Sequence, residues 1–373
     1  MTLKVLIVPD KFKGTLTAPA AAAAIARGWQ RIRPGDSLDL LPMSDGGDGF
    51  GEVMAGLLGA RAQRVATVDA AHRRSTARWW WQPQTETAIL ESAEVIGLAK
   101  HPGCHPYDLD SFGLGAVLRA AWRKGAKRCL IGVGGTATVD GGFGLAQALG
   151  WKFLDRDGRA ITSWTRLDSL AELRPPDKKM PFAEIVVAVD VANPLLGPRG
   201  CARVYGPQKG LTEFDVADRC LGRLAAVARR QFRRDCASHP GAGAAGGLGF
   251  AFECFLRAQL RPGFDLFART ARLKQRLNRA DLVITGEGAI DHSTFMGKGV
   301  GQVARACRGL KIPCVGLAGT LKETVPAKKH FTVVRDLLEL AGLKQARKQP
   351  ARWLERLAAQ VAREWRPKPG DGK

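Results

Sequence analysis

The chain predicts an α/β protein with a parallel framework at both ends and an antiparallel middle. Three observations carry this. Short apolar runs alternate with amphipathic helical patterns toward both termini. Residues 61 to 98 change character, to short segments rich in β-branched and aromatic residues. Three acidic, glycine-rich turns each close an apolar run: Ser44-Asp45-Gly46-Gly47-Asp48-Gly49, Gly134 to Gly142, and Thr285 to Asp291. Glycine lets the backbone turn sharply and approach a ligand. Carboxylates beside it suit a hard cation or a reacting hydroxyl. Together the three turns point to a phosphorylated ligand handled with a metal ion.

In chain order, Leu3 to Val8 reads as a buried strand, and an alanine-rich helix follows from about Ala18 to Trp29. Thr17 is its expected N-cap, with Pro19 in the first turn. Leu38 to Met43 is a second strand. Arg61 to Val68, Ser75 to Trp81 and Thr87 to Ser92 are short strands, in which Trp79-Trp80-Trp81 alternates faces and so reads as packing. A helix over 114–124 leads to the strand Arg128 to Val133, and a helix from Gly144 to Leu149 follows the second glycine turn. Glu184 to Val189 is a strand closing on Asp190, residues 212–235 are helix-rich, and Gly241 to Gly247 is a small-residue loop. Asp281 to Thr285, Pro313 to Ala318 and His330 to Val334 complete the strands. Residues 366–373 read as a disordered tail.

At 373 residues and 45% hydrophobic, the chain can bury the cores of about two domains. Its net charge of +22 raises nucleic acid as a partner. The Lys and Arg are dispersed, though, and no nucleic-acid-binding motif accompanies them, so a specific nucleic-acid partner is not expected. The eight cysteines show no C-x-x-C or zinc spacing and read as reduced core residues. No signal peptide and no membrane-length apolar run is visible, which predicts a cytoplasmic protein without a membrane partner. A homo-oligomer stays open.

No G-x-x-x-x-G-K-[ST] occurs. Gly132 to Ala137 does match a dinucleotide fingerprint after a strand, with Asp155 near the offset of a ribose-binding acid, so an NAD-dependent oxidoreductase is a second reading. Against it, the loop runs on through Asp140-Gly141-Gly142, and no helix starts where a pyrophosphate needs one. Asp10 ends a strand, where parallel sheets place ligands, and Lys13 can reach an anion as a point charge. Asp190 ends another, before Asn193-Pro194, and reads either as an Asx turn bent by Pro194 or as a ligand-facing carboxylate. Gly206-Pro207-Gln208-Lys209-Gly210 reads as a tight turn presenting one lysine, either on the surface or to a ligand. His292, beside Asp291, reads as a surface or hydrogen-bonded histidine.

Taken in order, these blocks resemble the bacterial glycerate kinase family, from about Lys4 to Gly319. Asp10-Lys11-Phe12-Lys13-Gly14-Thr15 is similar to its Asp-Ser-Phe-Lys-Gly-Ser, Asp45 to Gly49 to its Asp-Gly-Gly-Glu-Gly, and Gly134 to Gly142 to its Gly-Gly-Ser-Ala-Thr-Asn-Asp-Gly-Gly. Asp190-Val191-Ala192-Asn193-Pro194, Gly206 to Gly210, Gly241 to Gly247 and Thr285 to Gly288 follow in the family's order. The chain departs from the pattern at Lys11, Asp110, Leu114, Ala116, Val139, Ala192, Ala289 and Ser293.

The resemblance implies two unlike α/β domains, one with a flavodoxin- or Rossmann-like parallel sheet, and the active site in the cleft between them. The first domain is expected over 1–65 with 280–365, and the second over 66–279. The implied reaction is transfer of the ATP γ-phosphoryl group to D-glycerate, or to a related small hydroxy acid, with Mg²⁺. Asp45, Asp190, Asp291 and Lys13 are the expected catalytic residues, with Asp45 and Asp190 on the metal. Gly134, Gly135, Thr136, Asp140, Gly243, Gly246, Glu287 and Lys298 are expected on the nucleotide. Asp10, Lys11, Asn193 and Lys209 are expected on the substrate.

Overall fold

The computed structural model describes residues 2–178, 180–322 and 329–366. Its strands, in chain order, are β1 (Lys4–Pro9), β2 (Ser37–Leu40), β3 (Arg61–Val68), β4 (Arg74–Gln82), β5 (Thr87–Glu91), β6 (Arg128–Gly132), β7 (Lys152–Leu154), β8 (Glu172–Arg174), β9 (Glu184–Val189), β10 (Gln259–Pro262), β11 (Leu282–Ile290), β12 (Cys314–Leu321) and β13 (Val333–Asp336). The chain divides into two compact units, Met1–Asp45 with Phe267–Lys373, and Gly46–Leu266.

In the first unit, β1 is buried at every position after Lys4, as a strand covered on both faces must be. It lies inside a five-stranded sheet of order β13-β12-β11-β1-β2, parallel throughout. Renumbered within the unit, that order is 2-1-3-4-5, the flavodoxin-like winding, whose direction switches between β1 and β11. Helix Ala18–Ile32 starts at Thr17, whose side chain accepts from the Ala20 amide at 3.3 Å. It packs on helix Pro350–Glu364 so closely that a Cβ on Gly28 would lie 2.0 Å from the Glu355 carbonyl oxygen. Trp29 anchors the layer, fully buried, with its indole N–H donating to Asp36 at 3.0 Å.

The second unit holds a six-stranded sheet, β10-β9-β6-β5-β4-β3. β5, β6, β9 and β10 are parallel, and β4 and β3 extend the sheet antiparallel. Trp79 and Trp80 pack into separate cores, Trp80 with Phe50 and Met54 of helix Phe50–Leu58. The alternation read from the sequence is therefore packing on two faces.

The domain boundaries differ from those expected. Residues 46–65 belong to the second unit, because β3 pairs with β4 along its length and a Cβ on Gly51 would strike the Trp80 ring. Residues 267–279 belong to the first unit. There Arg276 pairs with Asp39 at 2.5 Å. The turn expected at Thr285 to Asp291 is instead mostly strand: β11 runs on to Ile290 because β12 keeps pairing with it. Of the expected tail, Arg366 bonds the Arg363 carbonyl at 2.7 Å, and 367–373 lie outside the described residues.

Candidate active site

Parallel sheets offer ligands the carboxyl ends of their strands, above all at a switch point. In the first unit that point is flanked by Asp10, just past β1, and Glu287, on β11. The Asp10 amide donates to the Gly286 carbonyl at 2.8 Å, which ties the two strand ends together. Asp10 and Glu287 are each 8% exposed. Burial, then the negative charge of nearby Asp45, pushes the Asp10 carboxyl up to about 7, against a bond from the Lys11 amide. Burial also raises Glu287, with Asp291 and Asp45 adding to it, while Thr294 and Lys298 act the other way. Thr294 donates to Glu287 at 2.7 Å, and Lys298 lies 3.8 Å from it. Asp10, Asp45 and Glu287 thus form one mutually repelling acidic cluster.

Asp291, expected among the catalytic residues, lies just past β11 at a helix start. It caps helix His292–Phe295, accepting from the Ser293 amide at 2.9 Å, while its own amide donates to the Thr294 hydroxyl at 3.2 Å. The Ser293 hydroxyl, then the positive charge of Lys298 and the Ser293 amide, hold this carboxyl below its usual value against burial. Lys13 is exposed, with its backbone against Gly288.

In the second unit the loop after β6 wraps a buried lysine. Lys209 is 7% exposed and donates to the Thr138 carbonyl at 2.7 Å and the Thr136 hydroxyl at 3.4 Å. The surface alternative for this lysine is thereby overturned: the turn folds inward as a short 3₁₀ helix, Pro207–Lys209. Burial pushes the Lys209 ammonium down to about 8. Asp140, fully buried, fixes the loop by accepting from the Ser111 hydroxyl at 2.6 Å and from the Ser111 and Gly144 amides at 3.0 Å each. Its carboxyl is raised by burial and by Asp110.

The 243–247 segment is less open than expected. Gly246 has φ +71, and a Cβ there would lie 2.0 Å from the Thr138 carbonyl oxygen; one on Gly243 would lie 2.2 Å from that of Pro194. These glycines let two backbones touch. The Gly141 amide bonds the Gly246 carbonyl at 3.0 Å, and the Gly243 amide bonds that of Asn193 at 2.9 Å. Asn193 itself bridges the Arg199 carbonyl and Tyr205. Asp190 is exposed at the end of β9. Gly134 and Gly135 lie under the 46–48 turn, with the Gly134 amide donating to Gly46 at 3.1 Å.

Sequence reasoning did not single out Glu91, Ser111 or Thr138. Glu91 ends the wholly buried strand β5, the same strand-end signal that marked Asp10 and Asp190. Ser111 and Thr138 carried no such signal. Two departures from the family pattern, Leu114 and Val139, are core residues at 4% and 0% exposure, so they serve packing. The dinucleotide reading finds no support. After β6 the chain loops to Gly142 before helix Phe143–Ala148 begins, and Asp155 instead closes a tight turn by accepting from the Asp157 and Arg159 amides.

The first unit thus carries acidic residues at a flavodoxin-like switch point, and the second a glycine loop built around a buried lysine, in an α/β protein. The glycerate kinase family model matches residues 5–366. A glycerate kinase of Bacillus subtilis (strain 168) is 34% identical, over 96% of this chain and 97% of its own. A glycerate 2-kinase of Escherichia coli (strain K12) is 34% identical, over 87% of each. A crystal structure from Salmonella typhimurium LT2, named as a glycerate kinase 2, superposes with a TM-score of 0.83 at 34% identity, covering 98% of both chains. The chain belongs to the glycerate kinase family. Family membership implies an ATP-dependent kinase that transfers phosphate to an alcohol group.

All eight cysteines are free thiols, and no helix among the described residues is long and apolar enough to cross a membrane.

Proposed function

We propose that the protein transfers the γ-phosphoryl group of ATP to D-glycerate, giving 2-phosphoglycerate and ADP. The observation that carries this reading is the acidic cluster of Asp10, Asp45 and Glu287 at the switch point, in a chain of this family. Phosphoryl transfer asks for positioning, charge neutralisation and a group to take the hydroxyl proton. As the substrate oxygen bonds to the γ-phosphorus, the bridging β–γ oxygen leaves with ADP and the hydroxyl proton needs an acceptor. Asp10, raised to about 7, has the basicity a general base needs near neutral pH. Lys209, with Lys11 and Lys13, is proposed to answer the negative charge of phosphate and carboxylate. The amides of Gly134 and Gly135 and the Thr136 hydroxyl are proposed on the nucleotide, with Glu287 and Lys298. Asp140, Gly243, Gly246, Asn193 and Asp291 shape the loops around them.

Among the described residues no group of three or more His, Cys, Asp or Glu is arranged to hold a metal ion by itself. That suits Mg²⁺, which is commonly held by one or two carboxylates together with substrate phosphates. A cation at Asp45 would relieve the repulsion inside the acidic cluster, while burial, the larger cause, would still hold Asp10 above its usual value. Asp45 and Asp190 are the proposed ligands, and the ion, when bound, supplies neutralisation of phosphate charge.

The same proposal places the enzyme in the cytoplasm, supported by its free thiols, with a small hydroxy acid as partner. ADP release measured across D-glycerate and related hydroxy acids tests it. D-Glycerate should give the highest kcat/KM, and a better hydroxy acid would replace it as the substrate.

A further inference from the structure

Glu91 is 8% exposed, and the chemistry above gives it no task. Its Oε1 accepts from the Gly49 amide and its Oε2 from the Gly51 amide, both at 2.9 Å. Helix Phe50–Leu58 begins at Gly49, which has φ +88 and no side chain to cap it. Glu91 reaches across from β5 and satisfies two of the amides that a helix start leaves unbonded. Burial raises the Glu91 carboxyl and the two amide bonds oppose the rise, so this acid is kept buried at an energetic cost.

The grip has a consequence one turn earlier. A Cβ on Gly135 would lie 1.7 Å from Oδ1 of Asp48, and one on Gly134 would lie 2.6 Å from the Gly47 Cα. The 46–48 turn is therefore laid on the loop after β6, and the Asp48 carboxylate fills the space that Gly135 leaves. Asp48 is itself exposed to solvent there. Glycerate carries two hydroxyl donors besides its carboxylate, and an ionised Asp is purely an acceptor.

We propose that Asp48 is a further catalytic residue that accepts a hydrogen bond from a hydroxyl of the hydroxy-acid substrate, and that Glu91 is its positioning residue. Holding the amides of Gly49 and Gly51, Glu91 fixes Asp48 over Gly135. The inference rests on the kinase reading.

The test compares wild type, Asp48→Asn, Glu91→Gln and the double variant. It reads kcat/KM for D-glycerate, ATP affinity by calorimetry, melting temperature, and hydrogen exchange of the 46–51 amides. Asp48→Asn should lower kcat/KM about 100-fold, with ATP affinity within about twofold of wild type. Glu91→Gln should lower it about 10-fold and speed exchange at Gly49 and Gly51. The double variant should be no worse than Asp48→Asn, since one residue acts through the other. Should Glu91→Gln fold poorly, Glu91→Asp, which keeps the carboxylate but shortens its reach to the Gly49 and Gly51 amides, should show the same loss and the same faster exchange. Losses that multiply in the double variant would overturn the link, and wild-type kinetics in Asp48→Asn would remove Asp48. A wild-type chain that forms no ADP from D-glycerate sinks the kinase reading and this one together; wild-type turnover with an unaffected Asp48→Asn sinks this one alone.

Discussion

The Lys209 ammonium donates a 2.7 Å hydrogen bond to the carbonyl oxygen of Thr138, so the lysine of the 206–210 turn is held inside the fold against the glycine loop. Because burial lowers it to about 8 from the usual 10.5, its charge is present below that pH and fades above it. If the charge serves an anionic ligand, kcat/KM for D-glycerate falls as pH rises through about 8. Lys209→Arg keeps its charge and should lose that fall. The stability sign is opposite. Between about 8 and 10.5 the unfolded chain binds the proton more tightly, so folding gains stability as pH rises through that window. A pH profile of kcat/KM that is the same in wild type and Lys209→Arg would remove Lys209 from the chemistry.

Asp10 pairs function with instability. Its folded value of about 7 lies above the usual 3.8, so the folded state holds the proton more tightly and stability falls as pH rises between them. Asp10→Asn should flatten that slope in melting temperature against pH, melt no lower than wild type at neutral pH, and lose about 100-fold or more in kcat. An unchanged kcat would exclude Asp10 as the proton acceptor.

Gly246 and Gly222 separate backbone contact from composition. Ala at 246 meets the Thr138 carbonyl oxygen at 2.0 Å and must adopt φ +71, whereas at Gly222, inside helix Asp215–Phe232, nothing lies within 4 Å. Gly246→Ala should lose at least about 1–3 kcal/mol in denaturant unfolding. Gly222→Ala should be neutral or gain up to about 1 kcal/mol. Equal effects would mean that loop–loop contact at 246 does not matter.

Much of this was legible because parallel strands advertise themselves. Buried apolar runs such as Lys4–Pro9 and Glu184–Val189 are each followed by an acid, and Asp10 and Asp190 were singled out by that position together with the other acidic turns and the family's order of blocks. The strand pairing in the middle followed from β-branched and aromatic content. What stayed hidden depended on tertiary partners. Whether Lys209 faces water or the interior is decided by Thr136 and Thr138, some seventy residues away. The strand through Glu287 exists because β12 pairs with it, against the turn propensity of its own glycines. The place of residues 46–65 was set by Trp80 and β4, which local composition does not reveal.

The most direct measurement is ADP formation by the purified chain with ATP, magnesium and D-glycerate, coupled to identification of the phosphorylated product. The account predicts glycerate-dependent ADP release with 2-phosphoglycerate as product, lost in Asp10→Asn. ADP release that does not respond to D-glycerate, or a product phosphorylated at another hydroxyl, would contradict it.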